Sequence, residues 1–186
     1  GIDLITIEYN GDKISHITLN ELVGDEGITD VNCTYTGDNL TEVYFTRNNG
    51  WTKKTLSYNE NGELTLSRME TSDGDVDITT LVWDNGNVIS ETTTYTSSHS
   101  SYSTTRTVEY LYDNKTSYYT GMGNFALVTS VEGYSMLSRN NVLRETRNGE
   151  STTTYTYTYD GDWPVTISHA DNDNYSSQER TSYLRY

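Results

Sequence analysis

Six times along the chain an aromatic residue runs straight into a polar turn. The stretches are "YNGD" at Tyr9, "YTGD" at Tyr35, "YNENGE" at Tyr58, "WDNGN" at Trp83, "YDNK" at Tyr112 and "YDGD" at Tyr159. The first four intervals are 26, 23, 25 and 29 residues, and the last is 47. Asn-Gly, Asp-Gly and Gly-Asp pairs accept the positive φ angles of tight hairpins, and short apolar or alternating runs such as "KISHI", "NLTEVYF" and "PVTIS" follow them. A second set of breaks ("TRNNGW", "TSDGDVD", "TSSHSSYS", "TRNGES", "HADNDNYSS") falls about half a period later. This rhythm predicts an all-β, antiparallel up-and-down meander of about 10–14 strands, with tight turns at one end and longer polar loops at the other. The doubled interval predicts a masked repeat whose turn is "SRNNVLRE", with Asn140-Asn141 at its tip.

Strand alternation sets the faces. In "TTTYTYTYDGDW" the side chains of Tyr155, Tyr157 and Tyr159 share one face, and those of Thr154, Thr156 and Thr158 the other. An aromatic ring buries far more apolar area than a threonine methyl, so the tyrosines are expected inside. A sheet this large must curl, close or be covered, which predicts an open or nearly closed barrel. From Lys115 to Arg139 the alternation is lost and nine large apolar side chains gather, Tyr118, Tyr119, Phe125 and Leu127 among them. That segment, 115–139, is expected to be an irregular or short-helical insertion covering the concave face. A membrane-spanning barrel needs an apolar outer band, whereas the outward residues here are threonines.

A length of 186 residues fits a single domain, 1–186. The net charge of -15 excludes nucleic acid, since phosphate binding requires clustered cations. Cys33 is the only cysteine, which rules out an internal disulfide and a thiolate metal cluster. No run of about 18 apolar residues is present to span a membrane as a helix. No basic-then-apolar leader precedes Ile2, and Gly1 reads as a cleavage scar. An exported chain, lipid-anchored through a removed N-terminal segment, is compatible with that start.

The stretches "YLYDNKTSYYTGMG", "LSRNNV" and "TTTYTYTYDGDWPVTI" together resemble a family of secreted or lipid-anchored Bacteroidetes proteins, a domain of unknown function with a porin-like fold. The family's aromatic-Asp-Asn-Lys segment falls on Tyr112 to Lys115, its Ser-basic-Asn-Asn-Val turn on Ser138 to Val142, and its closing hairpin on Tyr157 to Pro164. Within the insertion, where the family carries Lys and Pro, this chain has "TSYYTGM". The resemblance implies an antiparallel open or nearly closed barrel, periplasmic or at the outer-membrane surface. It implies no activity, cofactor or catalytic residue.

Motifs of chemistry are sparse. His16, His99 and His169 are far apart in sequence, and no Gly-x-Ser-x-Gly elbow, His-Glu-x-x-His or phosphate loop occurs. Asp73, Asp75 and Asp77 alternate as calcium ligands can, yet "SDGDVDITTLVW" lacks the distal bidentate acid of a calcium loop. No catalytic, cofactor or metal residue is assigned. Trp51, Tyr95, Tyr102 and Tyr175 lie near the longer-loop end among Asn, Asp and Ser, the surroundings of a stacking platform for a glycan or a surface protein. The same aromatics folded back onto the sheet are the plainer reading, and the platform is its rival. The sequence therefore points to a non-enzymatic exported binding or structural module. Its rival is a polysaccharide-acting hydrolase using a carboxylate pair drawn from acids such as Glu42, Glu60 and Glu91.

Overall fold

The turns of the sequence repeat become hairpins because each is flanked by residues that favour extended backbone. The computed structural model describes residues 5–19, 27–119, 125–128, 133–173 and 176–183. Its strands are β1 (Ile5–Asn10), β2 (Lys13–Leu19), β3 (Ile28–Thr36), β4 (Asn39–Arg47), β5 (Gly50–Tyr58), β6 (Leu64–Thr71) and β7 (Val76–Asp84). There follow β8 (Asn87–Thr96), β9 (Ser103–Thr116), β10 (Asn140–Arg147), β11 (Ser151–Asp160), β12 (Trp163–Asp173) and β13 (Ser176–Tyr183). They form a 13-stranded sheet in chain order, each strand hydrogen-bonded to its sequence neighbours, with β1 and β13 at the two ends of that order. The predicted meander is present and the sheet is open.

Four of the aromatic-turn stretches share one device. The pairing register shifts beside Tyr9, Tyr35, Tyr58 and Tyr159, so three of them stand opposite the second residue of the following strand, Ile14, Leu40 and Pro164, and Tyr58 stands opposite Leu64, which opens its strand. The extra residue of the following strand is a bulge, which increases local twist. At three of the bulges its hydroxyl is used: Ser15, Thr41 and Thr65 donate to the carbonyls of Glu8, Thr34 and Ser57, each at 3.2 Å. Between β7 and β8, Asn85 and Gly86 both have positive φ, 49° and 76°, the requirement of a tight type I′ hairpin.

Two expectations about the fifth turn are corrected. "YDNK" at Tyr112 does not close a hairpin, because β9 runs on to Thr116 and the chain then enters the insertion. Asn140 and Asn141 are not a turn tip: both belong to β10, and Asn141 is buried. No repeat is masked. Residues 117–139 replace the tight turn between the directly paired β9 and β10, and this 23-residue excess accounts for the interval of 47 residues.

By contacts the chain divides into two compact units. The first comprises 1–80, 93–105 and 127–129, and the second 81–92, 106–126 and 130–186. The first has an apolar core that includes Ile17, Val31, Leu40, Val43, Phe45, Leu56 and Leu64. The second buries Leu81, Val88, Val108 and Tyr110, and its β11 holds Tyr155, Tyr157 and Tyr159 half-buried while Thr154, Thr156 and Thr158 are exposed. The inward assignment of the tyrosines thus agrees with the structure. Cross-strand hydroxyl pairs line the opposite face, Thr92 with Thr107 at 3.2 Å and Thr158 with Thr166 at 2.6 Å.

The insertion contributes a short helix, α1 (Phe125–Val128), and a 3-10 turn, Tyr134–Leu137. In the second unit its end is docked through Ser138, whose hydroxyl accepts the Val88 N–H at 2.9 Å and donates to the Tyr112 hydroxyl at 2.9 Å. In the first unit Leu127 is buried, and its carbonyl accepts a hydrogen bond from the buried Lys54 at 3.3 Å.

Candidate functional site

The loop end of the first unit holds three of the four aromatics expected to form a platform. Trp51 enters β5 just after the Asn48-Asn49 turn and stacks on Tyr44 of β4, ring centroids 5.8 Å apart and planes at 22°. Gly50 permits the approach of the neighbouring turn, since a Cβ there would sit 2.1 Å from Ser72 Oγ. The Ser72 N–H in turn donates to the Trp51 carbonyl at 2.9 Å.

Asp75 ties the next two loops together. Its carboxylate accepts the Ser98 N–H at 2.8 Å, the Tyr95 hydroxyl at 2.9 Å and the Ser98 hydroxyl at 3.1 Å. These bonds, the Ser98 N–H foremost, hold its carboxyl below the usual carboxylate range. Tyr95 is thereby pinned, and the exposed ring of Tyr102 tilts against it at 6.2 Å. Arg47, Asn48, Asn49, Trp51, Asp73 and Asp75 line an open groove of about 510 Å³. Tyr175 lies outside the described residues.

The other named groups are engaged locally or stand apart. His16 bonds Asp30 at 2.7 Å, which raises its pKa, while His99 is exposed and His169 rests 6.2 Å from the Tyr155 ring. Burial pushes the Cys33 thiol up to about 11, away from thiolate chemistry. Among the described residues no three His, Cys, Asp or Glu side chains are grouped to hold a metal ion. Glu42 lies on β4 between Thr34 and Thr55, Glu60 is exposed in a turn, and Glu91 is buried on β8.

Glu91 belongs to a second site, which the sequence reading did not single out. Within the second unit, β8 to β11 and the described ends of the insertion line a part-open cavity of about 240 Å³. Five tyrosines line it, Tyr110, Tyr118, Tyr119, Tyr155 and Tyr157. Tyr118 packs 4.0 Å from Tyr119 and 6.4 Å from Tyr157, centroid to centroid. The Glu91 carboxylate accepts the Tyr134 N–H at 2.9 Å and the Tyr110 hydroxyl, and burial raises its pKa. Across the lining, Glu145 accepts Arg147 Nε at 2.6 Å and the Tyr155 hydroxyl at 3.5 Å. Nothing in the sequence marks Glu91 as buried. Ile89 is exposed, and strict alternation would place Glu91 on the same face, but burial moves one residue out of step between them.

An antiparallel meander of strands in chain order defines an all-β protein of open, barrel-like class. The crystal structure of a porin-like protein from Bacteroides uniformis ATCC 8492 shares that fold, with a TM-score of 0.59 and 19% identity over 95% of this chain and 73% of that one. At this identity the likeness carries the fold. No family model matches the chain, and neither does any curated protein.

Proposed function

We propose that this chain is an exported, non-enzymatic module of a bacterial cell surface or periplasm, presenting its loop end to a glycan or a surface protein. The observation that carries the reading is the groove of the first unit. There Trp51 is held by Tyr44 and Gly50 beside the amides of Asn48 and Asn49 and the carboxylates of Asp73 and Asp75. A flat ring complements the apolar face of a sugar, and amides and carboxylates orient its hydroxyls. Tyr95 and Tyr102 extend the platform, and Tyr175 is assigned to it from its place in the sequence. Attachment through a lipidated segment upstream of Gly1 accords with the resemblance to anchored Bacteroidetes proteins.

A glycan array probed with the labelled chain tests the reading. Binding to surface polysaccharides is expected, and Trp51→Ala is expected to abolish it in a chain that stays folded. Signals that survive Trp51→Ala, or retention of neither glycan nor surface protein, would sink it.

A further inference from the structure

The cavity of the second unit presents a ligand chemistry different from that of the loop groove. Glu91 is 3% exposed, and among the described residues no Lys, Arg or His lies within ion-pair distance of it. Arg106 and Arg147 also line the cavity, yet neither pairs with Glu91. Arg147 is engaged by Glu145 at 2.6 Å, and Arg106 is solvent-exposed, so its attraction is screened. A buried carboxylate without a counter-charge is costly, and an entering cation would relieve that cost.

The tyrosines favour the same occupant. The Tyr110 hydroxyl is bonded to Glu91, that of Tyr155 to Glu145 at 3.5 Å, and that of Tyr157 to the Val142 carbonyl at 3.0 Å. With those three hydroxyls committed, the five rings present apolar surface beside the polar groups of Ser117, Ser135 and Asn140. Ring faces attract an ammonium through their quadrupole, most strongly where water is excluded. An anion would meet the ring faces and the buried Glu91 with the wrong sign, and among the described residues would find the one lining cation not held by a carboxylate, Arg106, on the exposed side. At about 240 Å³ the space falls below the roughly 300–1,000 Å³ of sites for drug-sized ligands, so the occupant is small.

We propose that this cavity binds a small organic cation, an alkylammonium of about choline size, with Glu91 as counter-ion and the rings of Tyr110, Tyr118, Tyr119, Tyr155 and Tyr157 as its cage. The site is independent of the loop groove and of what that groove binds.

Isothermal titration of the full chain with choline, and with its neutral tert-butyl isostere, provides the test. Saturable choline binding is expected, with the isostere at least about tenfold weaker. Glu91→Gln and Tyr118→Leu should each weaken choline about tenfold or more, while Trp51→Ala should leave it unchanged. The proposal is overturned if neither choline nor tetramethylammonium saturates the chain, if the isostere or a neutral monosaccharide binds as well as choline, or if folded Glu91→Gln binds choline like the parent. Should either cavity variant fail to fold, the comparison of choline with its isostere on the parent chain still decides.

Discussion

Two buried ionisable side chains, Glu91 and Lys54, have opposite consequences for stability against pH. Burial raises the pKa of Glu91 above the ordinary glutamate value, against the opposing pull of the Tyr134 N–H, the Tyr110 hydroxyl and Arg106. Between the ordinary and the raised value the folded chain keeps a proton that the unfolded chain has lost, so this group's contribution falls as pH rises through that window. Urea midpoints measured upward from about pH 4 should therefore fall for the parent relative to Glu91→Gln; parallel curves would contradict it. Lys54 is pulled down to about 8 from 10.5 by burial beneath Phe45 and Leu127. Its charged form is disfavoured in the folded state, so stability should rise as pH climbs from about 8 to 10.5. Lys54→Met is expected to stabilise the chain at neutral pH by about 2 kcal/mol, allowing for the hydrogen bond lost at the Leu127 carbonyl, and to remove that rise. Tyr157→Ser, which removes a half-buried ring and its bond to Val142, should cost about 2–3 kcal/mol, and Thr156→Ser on the exposed face under about 1. Equal urea midpoint shifts would refute the face assignment.

At the scale of elements, the three stretches that carry the family resemblance converge on one hydrogen-bonded knot. Asn141 of β10 donates to Asp113 of β9 at 3.2 Å and to the Thr116 carbonyl at 3.0 Å, and accepts the Tyr118 N–H at 3.1 Å. The Tyr159 hydroxyl of β11 bonds Asp113 as well, Lys115 bonds Asp162 at 2.6 Å, and Pro164 is fully buried. The motifs thus hold the mouth of the insertion where a tight turn would otherwise join β9 to β10. Asn141→Ala leaves buried partners unsatisfied and should cost about 2–4 kcal/mol, against under about 1 for Asn48→Ala in an exposed turn. Comparable losses in the two variants would mean that the knot contributes little. A similar economy runs through two tyrosines of the repeat: Tyr58 and Tyr112 donate to the carbonyls of Leu40 and Val88, at 2.7 and 2.6 Å, so each ring fills space while its hydroxyl ties its strand to the one before.

For the whole molecule, 27 acidic against 12 basic residues leave a charge of -15, and the compact state gathers charges that the unfolded chain spreads apart. Added salt screens this self-repulsion over a Debye length that shrinks from about 30 Å at 0.01 M to about 10 Å at 0.1 M. The melting temperature should therefore rise between those concentrations, by several degrees if repulsion outweighs the local pairs Lys13–Asp38 and Lys115–Asp162. A melting temperature that falls with salt would show that the ion pairs dominate.

The strand count, the hairpin order and the inward tyrosines were legible in the sequence, because turns and strand alternation are local. Gly11, Gly37 and Gly161 take the positive φ their turns require, whatever lies beyond the hairpin. The bulge beside each pre-turn tyrosine is also local, but it leaves no mark in the composition, only a slip in register. What the tertiary structure alone decided depends on contacts far apart in sequence. The insertion became the replacement for a turn because Asn141 reaches back 28 residues to Asp113. Glu91 became a buried counter-ion candidate because Tyr134, 43 residues on, supplies its backbone N–H. Lys54 lies under a helix 73 residues away. A charged side chain on a strand looks solvent-bound until the segment that covers it is in place, since burial is a property of the partner surface and not of the residue itself.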